Sequence, residues 1–250
     1  MRAAPGAECV ARCRQAGTAG QYCHLAEDRL CDIHHEPMTE VISISADGAA
    51  DARAALERCV LRGGVAVFPA DGVYGLACDP AQEAAIERIH ALKRREPGKP
   101  SAVMFFAPLA MRELVASLSP RTRDALGALL PGPVTAVVAN PQRRYPLACG
   151  DDPRRLGVRL IEGPLAGTGV AIFQTSANRS GEPPPSRFAD LDPEILTAID
   201  LAIDGGELAG APSTVIDLSA FDERGEWQVT REGALPATEV ALRLERVATD

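Results

Sequence analysis

"GGVAVFPADGVYGLACDP", residues 63–80, holds an uncharged run at 65–68 between paired glycines and a proline, and its reading decides the fold. A run of that length without polar alternation predicts a short strand covered on both faces, broken at Pro69. The half that follows, "DGVYGLACDP", is rich in turn residues and reads as a turn. Upstream, "AADARAALERCVLRGG" (49–64) has helical periodicity and stops on Gly63 and Gly64. Downstream, a helix is expected from about Pro80, a residue suited to a first turn, to Lys93.

The same alternation continues outward. "MTEVISISADG" opens on a strand, and "SAVMFFA", "PVTAVVA", "LGVRL", "VAIFQT", "LAIDGG" and "STVIDLS" are further apolar strands. "SPRTRDALGALLPG" reads as a helix opened by Ser119 and closed at Pro131, and "ATEVALRLERVA" as the last helix. Neither a repeat nor an interdomain linker interrupts the series. The expectation is one layered α/β domain over residues 38–250.

Composition limits what such a domain does. With 26 basic and 34 acidic side chains the net charge is −8, which argues against an extended basic face for nucleic acid or an anionic membrane but leaves room for a local basic cleft. No apolar run approaches the roughly 18 residues of a membrane helix. Arg12 and Arg14 interrupt any signal-peptide core, so a cytoplasmic enzyme is expected. Cys9, Cys13, Cys23 and Cys31, with His24, His34 and His35, crowd the first 37 residues. Their spacing is not a tight zinc pattern. The favoured reading is a disordered extension, or a start assigned too early with Met38 as the first residue.

Three stretches carry the chemistry. "LKRREPGKP" puts Lys93, Arg94, Arg95 and Lys99 within seven positions, where Pro97 and Pro100 forbid helix continuation. Cations at a helix C-terminus also favour the macrodipole, which is an ordinary explanation for Lys93 and Arg94. "FQTSANRSGEPPPS" ends a buried strand on Thr175, Ser176 and Asn178, at the kind of edge where open α/β sheets bind ligands; a turn and cap is the alternative. "DGGELAGAPSTVIDL" places glycines before Ser213 and Thr214, and glycine-rich loops let backbone N–H groups approach phosphate. Together they are the parts of a nucleotide-phosphate site.

"GGVAVFPADGVYGLACDP", "LKRREPGKP", "LPGPVTAVV", "GVRL", "QTSANRSGEPPPS", "DGG…STVIDL" and "REGAL", in this order over residues 62–235, resemble the YrdC-type family. The resemblance implies a mixed α/β, three-layer fold: a twisted mixed β-sheet with flanking helices around a concave, positively lined cavity. It implies a short-form threonylcarbamoyl-AMP synthase, in which L-threonine, bicarbonate and ATP with Mg²⁺ give threonylcarbamoyl-AMP and pyrophosphate. A separate complex then transfers the threonylcarbamoyl group to tRNA.

Carried over position by position, the Lys-x-Arg signature falls on Lys93 and Arg95, the catalytic pair, and the Ser-x-Asn signature on Ser176 and Asn178. Lys99, Ser186, Ser213 and Arg231 complete the implied ATP contacts. Asp71, Tyr74, Arg95, Thr135 and Arg159 make the implied threonine site. No metal ligand is assigned to the protein.

The physics suits such a reaction. A carbamate oxygen must attack the α-phosphorus of a triphosphate, and two anions approach only where fixed positive charge screens them. Arginines grip carboxylate or phosphate bidentately and lysines act as point charges. A carbamate is already ionised near neutral pH, so its attack needs no general base, in keeping with the absence of a motif histidine. One stretch departs from the family. Where it usually writes Pro-Thr-Glu-Thr, this chain has Pro69-Ala70-Asp71-Gly72, which leaves substrate choice more open than ATP binding. A double-stranded RNA-binding module, or a paralogue using another amino acid or carbamoyl donor, are the alternatives.

Overall fold

The computed structural model describes residues 39–96 and 98–248. The expectations for residues 1–37, including the cysteine cluster and a start at Met38, lie outside the described residues. Ten strands among the described residues form one mixed sheet: β1 (Glu40–Ser43), β2 (Ala66–Pro69), β3 (Tyr74–Cys78), β4 (Ala102–Phe105), β5 (Val134–Ala139), β6 (Arg155–Leu160), β7 (Ile172–Ser176), β8 (Leu201–Asp204), β9 (Thr214–Asp217) and β10 (Gln228–Arg231). Their spatial order is β1-β8-β2-β3-β7-β4-β6-β5-β9-β10, with parallel pairs β1–β8, β2–β8, β4–β6 and β5–β9 among antiparallel ones. The main helices are α1 (Ala49–Leu61), α2 (Glu83–Lys93), α3 (Pro120–Leu129) and α4 (Ala237–Ala248). No helix among the described residues is long and apolar enough to cross a membrane.

Period-two alternation sorts the strand residues between two faces. Val65, Val67, Leu76, Val103, Phe105, Ala136, Val158 and Phe173 pack on one side with Ile86 and Ile89 of α2, Leu126 and Leu129 of α3 and Leu244 of α4. Ala66, Phe68, Ala77, Met104 and Ile203 pack on the other side with Ala52, Leu56 and Val60 of α1. These are the three expected layers.

The second face is covered by α1 only toward the β8–β2–β3 end. At the β6–β5–β9 end the alternate positions Arg155, Gly157 and Arg159 of β6, Thr135 and Val137 of β5, and Val215 of β9 line an open cavity instead. The site is therefore the part of the sheet that no helix among the described residues covers.

Two local expectations are corrected. Residues 74–78 are a strand, not a turn: β3 pairs antiparallel with β2, Val67 opposite Leu76, and with β7, Leu76 opposite Thr175. Gly75 is a packing glycine, because a Cβ there would lie 2.9 Å from Phe68 Cε1 and 3.0 Å from Gln174 Nε2. Helix α2 begins at Glu83 and not at Pro80. The Asp79 carboxylate accepts from Ala81 N at 2.8 Å, and its carbonyl from Gln82 N at 3.1 Å, which closes a turn around the proline first. The helix opened by Ser119 is found as read, with the Ser119 hydroxyl accepting from Thr122 N at 3.2 Å.

Candidate active site

A cavity of about 780 Å³ lies on that uncovered end of the sheet. This is within the roughly 300–1,000 Å³ typical of small-molecule sites. Its wall includes Arg95, Thr135, Arg159, Thr175, Ser176, Asn178, Ser213 and Arg231, eight of the residues singled out from the sequence.

Arg159 is the most deeply held charge on this wall, 5% exposed. Its Nη2 donates to the Asp71 carboxylate and its Nη1 to Gln174 Oε1 at 3.0 Å. Burial outweighs the attraction of Arg159 and raises the Asp71 carboxyl above the usual aspartate range, and the charge of Glu162 adds to the rise. Burial also lowers the pKa of Arg159, against the pull of Asp71, and Arg231 lowers it further; a guanidinium nevertheless stays charged. At the β9 end, Arg231 Nη2 donates to Ser213 O at 2.8 Å, and the Thr135 and Ser213 hydroxyls are 2.8 Å apart. At the β7 end, Arg95 Nη2 donates to Pro100 O at 2.7 Å, which points its guanidinium across the strand edge.

Four buried polar atoms on this wall have no hydrogen-bond partner among the described residues: Arg95 Nε, Arg159 Nε, Ser101 Oγ and Asn178 Oδ1. Unpaired buried groups cost free energy, so their convergence on one cavity marks where a polar ligand completes the structure. Two of the four are cationic donors, which suits an anion.

Other residues expected at the site stand elsewhere. Lys93 is 2% exposed and lies behind the wall; its ammonium donates to the Ser176 carbonyl and, at 2.7 Å, to the Asn178 carbonyl. Lys93 continues the buried face of α2 after Ala85, Ile86 and Ile89; the helix ends beyond it because Arg94 turns left-handed, φ 49°, and Arg95 then faces the cavity. Lys99 is exposed and paired with Glu96 at 2.8 Å, outside the cavity lining. Ser186 is not on the wall; its carbonyl accepts from Leu208 N at 2.8 Å. Tyr74 is fully buried, donates to Gly206 O at 2.8 Å and accepts from Gly205 N at 3.0 Å, so it braces the glycine loop rather than a substrate pocket. Burial raises its phenol to about 12. Asp71 lines a second, largely apolar cavity of about 550 Å³ with Ala70 and Gly72, and the Asp71–Arg159 pair stands between the two cavities.

Gln174, Arg155 and Asp151 also line the larger cavity and were missed in the sequence. For Arg155 the signal was available, since alternation in "RLGVRL" puts positions 155, 157 and 159 on one face.

The fold is an open α/β sheet with a concave site, and the four arginines on its wall, Arg95, Arg155, Arg159 and Arg231, suit it to an anionic ligand. The family model Sua5_yciO_yrdC, described as "Telomere recombination", matches residues 58–233. This chain belongs to that family. It is 36% identical over 184 residues to a threonylcarbamoyl-AMP synthase of Chromohalobacter salexigens, covering 70% of this chain and 95% of that protein. Among solved structures it resembles P. abyssi Sua5 complexed with L-threonine, at TM-score 0.68 and 26% identity, over 82% of this chain. The chain spans 61% of the length of that Sua5. E. coli YciO shares the fold at TM-score 0.62 and 24% identity, over 78% of this chain and 95% of its own.

Proposed function

We propose that the protein is an ATP-dependent threonylcarbamoyl-AMP synthase, which joins L-threonine, bicarbonate and ATP into threonylcarbamoyl-AMP with release of pyrophosphate. The observation that carries this reading is the convergence of Arg95, Arg159, Ser101 and Asn178, each with a buried unpartnered polar atom, on one cavity. The relatives named for this activity support the choice of substrates. The product serves threonylcarbamoyl transfer to tRNA by a downstream complex, and the cytoplasm is where that transfer would take place.

In this reading Arg159 holds the threonine carboxylate, and Arg95 and Arg231 hold phosphate oxygens. Their charge allows the carbamate oxygen to approach the α-phosphorus, because preorganised cations in a half-enclosed site are not masked by water. Ser176 and Asn178, braced from behind by Lys93, fix the edge on which the nucleotide rests. Mg²⁺ bound to the triphosphate would neutralise the departing pyrophosphate. Asp151, on the wall without an ion-pair partner among the described residues, suits a cation that takes one or two carboxylates together with substrate phosphates.

The test is pyrophosphate release from ATP in the presence of bicarbonate, with each amino acid in turn. Release that depends on threonine is expected. Absence of release with any amino acid, alongside RNA binding with a steep salt slope, would replace the reading with an RNA-binding module.

A further inference from the structure

A carbamate needs no base once it exists, but the amine that forms it does. Threonine's α-amine is mostly an ammonium at neutral pH, since such groups titrate somewhat above neutrality, and an ammonium has no lone pair with which to attack bicarbonate. Something must remove that proton beside the seat of the amino acid.

Arg159 supplies the reference point. Two of its nitrogens are engaged, Nη2 by Asp71 and Nη1 by Gln174, while the buried Nε has no partner. A substrate carboxylate that takes the Nε edge sits next to the Asp71 carboxylate on one guanidinium. The amine of an α-amino acid is two bonds from its carboxylate carbon, close enough to reach the space between the two carboxylates. Gln174, the other partner of Arg159, has no basic atom.

We propose that Asp71 is the proton acceptor for the substrate amine, a catalytic role that rests on the synthase reading above. The ammonium gives its proton to the Asp71 carboxylate, leaving a neutral amine and a carboxylic acid. The amine nitrogen then bonds to the bicarbonate carbon, a C–O bond breaks, and the hydroxyl leaves as water with a proton from the nitrogen. The products are the carbamate and one water, and Asp71 passes its proton to solvent. The carbamate oxygen goes on to the α-phosphorus.

The charged groups around Asp71 favour this role. Arg159 on β6 holds the carboxylate in place, Glu162 just after β6 opposes its ionisation, and Arg231 faces Arg159 from β10. Burial and Glu162 make Asp71 a stronger base than a solvated aspartate. Its position on the smaller cavity, with Ala70 and Gly72, also gives the released acid a place to turn when the substrate takes Arg159.

The experiment compares kcat/KM for threonine in the wild type, Asp71→Asn and Asp71→Glu, by pyrophosphate release at saturating ATP and bicarbonate, from about pH 7 to about pH 9.5. ATP affinity is measured on the same proteins. Asp71→Asn keeps an acceptor for Arg159 but takes no proton, so a loss of about 10²-fold is expected at the acid end. The loss should shrink below about tenfold at the alkaline end, where the amine deprotonates unaided. Asp71→Glu should recover most of the activity, and ATP affinity should stay within about threefold in both variants, since the proton transfer involves no nucleotide contact. Should Asp71→Asn not fold, Asp71→Ser carries the same comparison. A loss that is constant across the pH range, or one matched by weaker ATP binding, would mean that Asp71 only positions Arg159, and the proposal would fall while the synthase reading stood. A wild type that releases no pyrophosphate with threonine would end both.

Discussion

The ammonium of Lys93 lies 2.7 Å from the backbone carbonyl of Asn178, so the first residue of the Lys-x-Arg signature is bound to the last of the Ser-x-Asn signature. The backbone adds a second tie, Ser180 N to Lys93 O at 2.8 Å. Lys93 thus joins the end of α2 to the edge that carries Ser176 and Asn178. Lys93→Met should leave two carbonyls without a donor and cost about 1–3 kcal/mol of stability, with activity falling because the edge loosens. Differential scanning fluorimetry and pyrophosphate release read both effects.

Lys93 also gives a pH signature. Burial, with the Arg95 charge beside it, pulls its pKa from the ordinary 10.5 down to about 8. Between those values the unfolded chain binds a proton that the native state has lost. Stability therefore rises with pH across that window, and below it Lys93 contributes no pH dependence. The difference in unfolding free energy between wild type and Lys93→Met isolates this from the buried thiols and Tyr74, which are common to both. That difference should climb from about pH 8 to about pH 10.5. A flat or falling difference would show that the ammonium is solvated.

Arg94 and Arg95 are neighbours in sequence and point to different surfaces. Arg95 lines the larger cavity with its Nε unpartnered, whereas Arg94 caps α2 in the left-handed conformation and faces a surface groove with Arg179. Arg95→Ala should cost roughly 2–4 kcal/mol of transition-state stabilisation, about 10²- to 10³-fold in kcat/KM. Arg94→Ala should change kcat/KM by less than about threefold, and Arg94→Gly should raise stability slightly by relieving the positive φ. Equal losses at the two positions would return the cluster to a general electrostatic role.

Most strands and all four long helices were legible because their apolar periods are strong. Residues 74–78 were not, because Gly72 and Gly75 mark a turn by composition while Gly75 in fact admits Phe68 and Gln174 at close range. β10 escaped because it is an edge strand with no buried residue, "QVTR", and so has no apolar run. Ser176, Asn178 and Ser213 of the cavity were legible as polar residues at strand ends and Arg95 as part of a basic loop, whereas Arg159 and Arg231 were marked by the family resemblance. What could not be read is direction. Nothing in "ALKRREPGKP" says that the chain reverses at Arg94, beyond which Arg95 lines the cavity and Lys99 pairs with Glu96, while Lys93 lies behind the wall because it continues the buried face of Ile86 and Ile89 on α2.

Gly127 offers a control for stability without function. It lies inside α3 and a Cβ there would meet nothing within 4 Å. Gly127→Ala should stabilise the fold by about 0.5–1 kcal/mol, since alanine loses less backbone freedom on forming helix. Activity should be unchanged, as α3 packs on the face of the sheet opposite the cavity. An unchanged or lowered melting temperature would show that this end of α3 is held by something other than helix propensity.

The last prediction concerns substrate choice at Ala70 and Gly72. A glycine at 72, where the family usually has threonine, would by size alone leave room, but the backbone of Ala211 occupies it: a Cβ at Gly72 would lie 2.0 Å from Ala211 O. Gly210 N also donates to Gly72 O at 2.8 Å, so the two segments are fastened together. A threonine at 72 would push the chain at 209–212, and with it Ser213 at the cavity wall. Gly72→Thr should therefore lower both stability and kcat/KM for every amino acid, without changing the ratio between them. Ala70 is different, because it lines the smaller cavity beside Asp71. The parent should prefer threonine over serine by only about tenfold, the low end for one methyl group in a pocket. Ala70→Thr alone adds a hydroxyl worth about 0.5–1.5 kcal/mol if it reaches the substrate, and should widen that ratio several-fold. The measurement is kcat/KM for threonine and serine in the parent and in each single variant. A parent that already prefers threonine by about a thousandfold, far above a methyl-sized difference, would show that this stretch does not set the choice. A ratio that moves with Gly72→Thr and not with Ala70→Thr would place the side-chain pocket on the Ala211 segment.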